Sequence, residues 1–205
     1  MATRAAAVES TINLNGKNIT VSNKTAKAFA TVAAGNTLTF VGEGNVKLTS
    51  DSTAPFINNE GKVVLNGGAF VSESTSDIIA GDGEIFETGG SIDQDNVKTQ
   101  LEALQYVFAN GGEMTLTEDI EATETLTITT TNAVVINGGE KSIKSAARYG
   151  IEITVDNADV TFNNVNLEVT AESVYTSYIC GIKLTTNNSE LTLNNCNRSE
   201  EHTSE

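Results

Sequence analysis

The feature that most constrains the fold of this chain is a 17-residue sequence segment that occurs twice. Residues 150–166 read GIEITVDNADVTFNNVN, and residues 181–197 read GIKLTTNNSELTLNNCN. The offset is 181 − 150 = 31 residues, and 8 of the 17 pairs are identical. A fixed-period repeat of alternating β-branched and polar residues, with asparagine at the corners, is typical of a β-solenoid. Each short strand buries one face, so the coils must stack about 4.8 Å apart to hide it.

The N-terminal half repeats with a shorter period. Residues 61–70 (GKVVLNGGAF) match residues 83–92 (GEIFETGGSI), an offset of 83 − 61 = 22, and weaker copies lie at residues 12–21 and 36–48. Residues 126–136 (LTITTTNAVVI) match a segment that begins at residue 151, an offset of 151 − 126 = 25. The spacing predicts an all-β parallel β-helix, with a short-repeat solenoid over residues 1–92 and truncated β-helix coils over residues 113–197.

Glycine and asparagine pairs mark the predicted corners of the coils. We expect the glycines to supply backbone with positive φ, and the asparagines to tolerate that region and to stack in hydrogen-bonded side-chain ladders. The pairs are Gly67-Gly68, Gly89-Gly90, Gly138-Gly139, Asn163-Asn164 and Asn194-Asn195. This interpretation is structural, so no ligand is assigned to these residues.

One segment in the middle of the chain has the period of a helix. Between Asp95 and Gly112, the residues Val97, Leu101, Leu104 and Phe108 fall on one face. Asp95 or Asn96 caps the start, and Asn110-Gly111-Gly112 ends the helix. The first coil of a solenoid has an exposed apolar end, so residues 93–112 are predicted to form a capping helix.

The last eight residues, 198–205, do not continue the repeat. They read RSEEHTSE, and Arg198 stands where the 31-residue repeat requires a match to Leu167. The codons AGA-TCG-GAA-GAG-CAC-ACG-TCT-GAA, which look like a common sequencing-library adapter, would encode this octapeptide. We therefore expect a non-native tail, and a natural protein whose solenoid continues beyond residue 197. A polar, disordered tail is the alternative.

Composition narrows the range of partners. The formal net charge is −15, which argues against nucleic acid and anionic membranes, since both need clustered lysine and arginine. No apolar run of the length needed to cross a membrane is present, and residues 1–10 lack the apolar core of a signal peptide. Cys180 and Cys196 are the only thiols; we expect two buried free thiols rather than a disulfide.

Catalytic chemistry finds little support in the sequence. The single histidine, His202, lies in the tail. If the tail is not native, no histidine remains, and histidine-based triads and histidine-ligated metal sites are excluded. Paired carboxylates of the kind that hydrolyse glycosides occur as Asp93 with Asp95, Asp156 with Asp159, and Glu118 with Asp119. Each pair has a plainer interpretation: a helix start, a turn, or a solvated surface. No cofactor is predicted; calcium held by turn carboxylates is the one open alternative.

The best candidate for a ligand site is a loop cluster of Arg148, Tyr175 and Tyr178. The chain has no tryptophan, so tyrosine must supply any aromatic platform for a sugar. The two tyrosines lie in the longest insertion between strands, residues 168–179, and Arg148 immediately precedes Tyr149. Tyr149 matches Cys180, which suggests that Tyr149 itself points inward. Core or spacer roles for the three residues are the alternative.

Residues 96–167 resemble right-handed parallel β-helix proteins of the pectate-lyase-like superfamily. The resemblance rests on the order of a helix (VKTQLEALQYVFANGG), then GEMTLTEDI, ETLTIT and NAVVINGG, followed by asparagine-rich repeats. It implies the fold rather than one activity, since the superfamily includes polysaccharide lyases, glycoside hydrolases, bacterial adhesins and phage tailspikes. The lyases carry clustered calcium-binding aspartates with a nearby basic residue. No matching cluster is found here, so no catalytic residue is carried over.

Two functions of different classes follow. The leading one is a non-catalytic structural and adhesive solenoid of a phage virion appendage or bacterial surface protein, which binds cell-surface polysaccharide. The alternative is a polysaccharide lyase or glycoside hydrolase whose active coils are missing; a pure spacer is a third reading. Because an uncovered coil end tends to associate, we also expect a homo-oligomer or a larger assembly, at the virion or cell surface.

Overall fold

The chain forms two compact units, Met1–Thr99 and Gln100–Glu205. The computed structural model describes residues 7–170 and 180–200, with the backbone alone described for Cys180 and for residues 198–200. Within this part of the chain each unit is a stack of parallel strands, and one helix is present. The predicted all-β parallel β-solenoid with a single capping helix is therefore confirmed.

The first unit winds three strands into each coil. Its strands are β1 (Glu9–Asn13), β2 (Lys17–Val21), β3 (Ala30–Val32), β4 (Thr37–Val41), β5 (Gly44–Leu48), β6 (Ile57–Asn59), β7 (Lys62–Asn66), β8 (Ala69–Ser72), β9 (Ile79–Ala80), β10 (Glu84–Glu87) and β11 (Ser91–Ile92). They form three parallel sheets, in the orders β1-β4-β7-β10, β2-β5-β8-β11 and β3-β6-β9. Each strand therefore pairs with the strand at the same place in the next coil.

The second unit begins with the helix and repeats the same plan. Its elements are α1 (Gln100–Asn110), β12 (Gly112–Thr115), β13 (Ile120–Ala122), β14 (Leu126–Ile128), β15 (Val134–Asn137), β16 (Ser142–Ser145), β17 (Tyr149–Ile153), β18 (Val160–Asn163), β19 (Asn166–Val169), β20 (Cys180–Leu184), β21 (Leu191–Asn194) and β22 (Asn197–Glu200). The sheets are β12-β15-β18-β21, β13-β16-β19-β22 and β14-β17-β20.

The register of the strands reproduces the sequence repeats. The 31-residue offset pairs Val160 with Leu191, and the 22-residue offset pairs Lys62 with Glu84. The offset of 25 residues pairs Leu126 with Ile151. Coils of different length coexist because extra residues enter the corners while the strands keep their register.

The core consists of ladders of apolar side chains that point into the coils. In the first unit Phe40 pairs with Leu65, both have no exposed surface, and Phe40 meets the ring of Phe70 edge to face at 4.9 Å. Ile12 and Phe29 belong to the first coil and are 39% and 75% exposed. Burial therefore depends on a neighbouring coil on each side.

Helix α1 closes the first coil of the second unit. It contacts the three strands β12, β13 and β14, and its buried face includes Leu104 and Phe108. Met114 in β12 and Ile128 in β14 have no exposed surface, unlike Ile12 at the corresponding end of the first unit. The predicted cap is confirmed. Its end is also as predicted, because Gly111 has φ +82° and its N–H donates to the carbonyl of Val107.

The helix begins later than predicted, at Gln100 rather than Asp95. Residues 94–98 continue the stacking of the first unit instead. Val97 forms a parallel bridge with Ile85, and the side-chain amide of Gln94 bonds to both the N–H and the C=O of Ile79. The amide of Gln94 thereby supplies the donor and the acceptor that the backbone of a further strand would supply. Val97, which the sequence assigned to the apolar face of the helix, instead packs at its bridge with Ile85.

Side-chain amides form the predicted asparagine ladder. Asn194 donates to Asn163 at 2.8 Å, Asn163 donates to Asn137 at 2.9 Å, and Asn137 donates to the carboxylate of Glu113 at 2.7 Å. Asn164 follows this ladder with φ +53°, as expected for an asparagine corner. These residues therefore serve the stacking of the coils.

Only some of the predicted corner glycines have the expected positive φ. Gly68 and Gly139 have positive φ, but Gly67, Gly90 and Gly138 do not. These three are required by close approach between coils, because a Cβ at Gly90 would lie 2.6 Å from the carbonyl oxygen of Gly67. At Gly89 the nearest atom would be 3.5 Å away, so that position has room for a side chain.

Residues 197–200 form β22, which pairs with β19. The register places Arg198 beside Leu167 and Glu200 beside Val169, two positions whose β19 residues are buried. Backbone pairing is open to almost any residue type, so the non-native origin of residues 198–205 stays a prediction.

We expect Gly90→Ala to lower the free energy of unfolding by about 1–3 kcal/mol, because the added methyl forces neighbouring coils apart. Gly89→Ala is the matched control next to it. It should be neutral, or stabilise by about 0.4–1 kcal/mol through the unfolded chain. Urea unfolding of both variants checks this; an equal loss in the two would contradict it.

Asn163→Ala should lower the free energy of unfolding by about 1–3 kcal/mol, because it removes the two hydrogen bonds that join Asn163 to Asn137 and Asn194. Asn58 is a matched control: it is equally half-buried on a strand, but its side-chain amide donates, at 3.2 Å, to Glu60 of its own coil. Asn58→Ala should cost about 0.5 kcal/mol or less. Thermal and urea unfolding compare them, and a neutral Asn163→Ala would refute the ladder's contribution.

Candidate functional site

Three side chains with cationic or aromatic character meet at the start of β17. The guanidinium carbon of Arg148 and the ammonium nitrogen of Lys183 each lie 5.0 Å from the centroid of the Tyr149 ring. Lys183 comes from β20 and also contacts Glu152 of β17, with 2.5 Å between Nζ and Oε1. We call Arg148, Tyr149, Glu152 and Lys183 the Tyr149 cluster. It joins a loop, a strand and the strand of the next coil.

Gly150, next to the tyrosine, is packed tightly against the next coil. Gly150 is buried, and a Cβ there would lie 2.8 Å from the carbonyl oxygen of Gly181 in the next coil. The register pairs Tyr149 with Cys180, as the sequence predicts. Yet Tyr149 is half-buried with two cations beside its ring, so the expectation that it points into the core is wrong.

The pairing with Glu152 raises the pKa of Lys183. The hydrogen bond to Glu152 is the main effect, and the negative charge of Glu152 acts in the same direction. Burial and the positive charge of Arg148 act against it. Both Lys183 and Arg148 are therefore positively charged at neutral pH, and they share one aromatic ring.

Of the three predicted site residues, the structure places Arg148 alone. Tyr175 and Tyr178 lie outside the described residues, so their part in a loop cluster stays a prediction. Lys183 is the residue that the sequence reasoning missed. A signal was available, because the 31-residue repeat aligns Lys183 with Glu152, two residues of opposite charge in neighbouring coils.

The candidate catalytic carboxylates hold coils together where the structure gives them partners. Asp156 accepts hydrogen bonds from the backbone and the side chain of Asn187, each at 3.1 Å. Asp159 accepts from the N–H of Glu190 at 3.0 Å, and Asp119 from the N–H of Ser142 at 2.8 Å.

The remaining acidic pair has a different setting from the predicted one. Asp93 and Asp95 are exposed and precede the helix by several residues, so their assignment to a helix start is wrong. The acidic residue in the first turn of the helix is Glu102.

The described residues contain no group of three or more histidine, cysteine, aspartate or glutamate side chains that could hold a metal ion. Calcium binding therefore stays an untested expectation. Cys196 is a free thiol, half-buried rather than buried, and its sulfur lies 3.3 Å from the carbonyl oxygen of Phe162. Cys180 stands in β20, and nothing is assigned to its side chain.

No helix among residues 7–170 and 180–200 is long and apolar enough to cross a membrane. The space around Gly150 is tightly filled: a small gap that it lines with Gly181, Glu168 and buried residues such as Ile151 has no room for a water molecule.

Comparison with protein-family models, curated proteins and solved structures found no match to this chain. The parallel β-solenoid rests on the strand pairing described above. The narrower resemblance to the pectate-lyase-like superfamily stays a prediction.

A second ionisable group with an altered pKa lies at the far end of the first unit's core. Glu87 of β10 pairs with Leu65, so it continues the apolar ladder of Phe40 and Leu65 with a carboxyl group. Its partial burial raises the pKa, and the hydrogen bond that it accepts from the N–H of Ile92 opposes this. Ionisation of Glu87 is therefore less favourable in the folded chain than in the unfolded one.

We expect Glu87→Gln to be more stable than the parent protein at neutral pH. Because the pKa of Glu87 is raised in the folded chain, its protonated form stabilises the fold. This stabilisation is fully present below the ordinary pKa of 4.5 and is lost as the pH rises through the folded pKa. The advantage of glutamine should therefore shrink as the pH falls towards 4.5. Urea unfolding across this range measures it, with Glu43→Gln, at an exposed corner, as the control. A pH-independent difference would be the contrary result.

Proposed function

We propose that this protein is a non-catalytic structural and adhesive β-solenoid of a phage virion appendage or a bacterial surface protein, and that it binds cell-surface polysaccharide. The observation that carries the proposal is that three of the candidate catalytic aspartates form hydrogen bonds between coils. Asp156, Asp159 and Asp119 bond to the next coil, which gives each of them a stacking role. A catalytic acid or base must instead be available to a substrate.

The regular surface supports the adhesive part of the proposal. Stacked coils present the same side-chain position at each level, so outward residues form long rows. Such rows suit repeated contacts with an extended polymer, in which many weak sites act together. The acidic charge of the chain fits a partner other than nucleic acid.

Assembly into a homo-oligomer or a larger structure is part of this proposal. Apolar side chains are exposed in the first described coil of the first unit, at Ile12 and Phe29, and in the last coils of the second unit, at Leu184 and Leu193. Exposed apolar side chains of this size favour burial against another surface. Light scattering of the purified protein over a range of concentrations measures this.

The purified protein should bind glycans on an array and leave polysaccharides uncleaved. The cleavage assay follows new reducing ends for hydrolysis and the ultraviolet absorbance of unsaturated products for lyase chemistry. Cleavage by the purified protein would refute the non-catalytic proposal and favour a lyase or hydrolase. Silence on the array would refute the adhesive part and leave a spacer without its own ligand.

A further inference from the structure

Strands β1 and β21 are edge strands at opposite ends of their stacks. β1 is the first strand of the sheet β1-β4-β7-β10, and β21 is the last strand of the sheet β12-β15-β18-β21. One side of each strand therefore pairs with no strand in the described part of the chain, and its N–H and C=O groups can accept a further strand. Because both sheets are parallel, a parallel strand is the addition that continues either of them.

The two edge strands carry the same short sequence pattern. Residues 191–194 (LTLN) of β21 lie on residues 160–163 (VTFN) of β18, so threonine, an apolar residue and asparagine each form a row. Strand β1 ends with residues 11–13 (TIN), the same three residue types in the same order. A β1 strand placed on β21 in this register would therefore continue three existing rows.

The apolar row is the one that the coils bury. In the second unit it runs through Ile136 and Phe162, which have no exposed surface, to Leu193, which is 47% exposed. In the first unit Phe40 has no exposed surface, whereas its partner Ile12 in β1 is 39% exposed. Each exposed side chain lacks an apolar neighbour on one side only. Placing Ile12 on Leu193 would remove both from water, which favours the contact.

The asparagine row has a direction, and its two ends are complementary. In the second unit each amide nitrogen donates to the preceding coil, as Asn194 does to Asn163. Among the described residues, the Oδ1 of Asn194 has no donor and the Nδ2 of Asn13 has no acceptor. Asn13 pairs with Val41 in the next coil, so its own unit gives it no asparagine rung. Its Nδ2 therefore matches the Oδ1 of Asn194, as donor and acceptor.

Charge favours a contact between unlike ends. Residues 7–33, which make up the first described coil, contain three lysines and one acidic residue. Residues 100–197, which contain the second unit's strands up to β21, hold 13 acidic and 4 basic residues. Two first coils would bring like charges together, but a first coil placed on the second unit meets the opposite charge.

We propose that copies of this 205-residue chain associate head to tail, with β1 of one copy added in parallel to β21 of another and residues 11–13 placed on residues 192–194. This inference rests on the assembly part of the proposed function and names its two surfaces and their register. The contact is heterologous, because each copy contributes a different end. A pair therefore keeps one open end of each kind, and the assembly grows beyond a dimer.

The test uses two variants of the full chain, each blocked at one end. Ile12→Lys and Leu193→Lys each place an ammonium group where the contact would bury it against apolar side chains. Sedimentation equilibrium should show assembly beyond a dimer for the parent, and a dissociation constant raised about a hundredfold or more for each variant alone. An equimolar mixture should associate again, but only into pairs, because each variant keeps the end that the other has lost. A contact between two like ends gives no such rescue.

Val71→Lys is the matched control. Val71 is 50% exposed on β8, which has a paired strand on each side. The substitution adds the same charge at a similarly exposed apolar position, away from both edge strands, and it should leave association unchanged. Circular dichroism and thermal unfolding of every variant show that the fold is retained.

The register makes a separate prediction at the start of β1. It places the exposed Glu9 beside the exposed Glu190 of the other copy, two like charges that weaken the contact. Glu9→Lys should therefore tighten association about two- to fivefold at low salt, the scale of one exposed ion pair. Glu190→Lys should do the same, and the double variant should lose the gain. Glu43→Lys, at an exposed corner, controls for the change in net charge.

The outcomes separate this inference from the function on which it rests. Rescue in the mixture, with unchanged association of Val71→Lys, supports the head-to-tail contact. Association that survives in Ile12→Lys or Leu193→Lys alone, or a mixture without rescue, overturns it while assembly through another surface stands. Rescue without any gain in Glu9→Lys overturns the register. A parent protein that stays monomeric at every concentration counts against both this inference and the assembly part of the proposed function, and leaves glycan binding untouched.

Discussion

The structure depends on one constraint, the parallel register between successive coils. Backbone N–H and C=O groups of each strand pair with the strand at the same place in the next coil, so equivalent residues lie above one another. Phe40 therefore stacks on Leu65, and Asn163 lies between Asn137 and Asn194. Every other regularity, from apolar ladders to the glycines at close corners, follows from that alignment. A shift by one residue would turn each buried side chain outward.

Electrostatics follow the same register. In a chain with an excess of acids, several lysines lie beside an acid of the neighbouring coil, as in Lys62 with Glu84 and Lys47 with Glu73. Exposed pairs of this kind contribute at most about 1 kcal/mol each, so their main effect is to avoid rows of like charge. At two places the pairing includes a second cation and an aromatic ring: Lys62 and Lys98 share Glu84 beside Phe86, and Arg148 shares the Tyr149 ring with Lys183.

The ends of the stacks show what an inner coil gains from its neighbours. Helix α1 covers the first coil of the second unit, and Met114 there is fully buried. In the first unit Ile12 holds a comparable position in its first coil and is 39% exposed. Glu87 marks the other end of that unit's ladder with a partly buried carboxyl group. Apolar residues are therefore buried by stacking, and the repeat sequence alone does not distinguish an inner coil from an outer one.

The parallel solenoid, the offsets of 22, 25 and 31 residues, the asparagine ladder and the cap could all be predicted from the residues, because these depend on local alternation and on repeats that can be aligned. The start of the helix depends on packing instead, since Val97 forms a bridge with Ile85. Packing also sets which glycines are needed for close approach between coils. The contact of Arg148 and Lys183 with the same Tyr149 ring is visible only in the folded structure, because it joins residues of two different coils. Alignment of the repeats gives the register position of a residue in the stack, but side-chain packing determines whether a side chain at a strand end points into the coil or towards its surface.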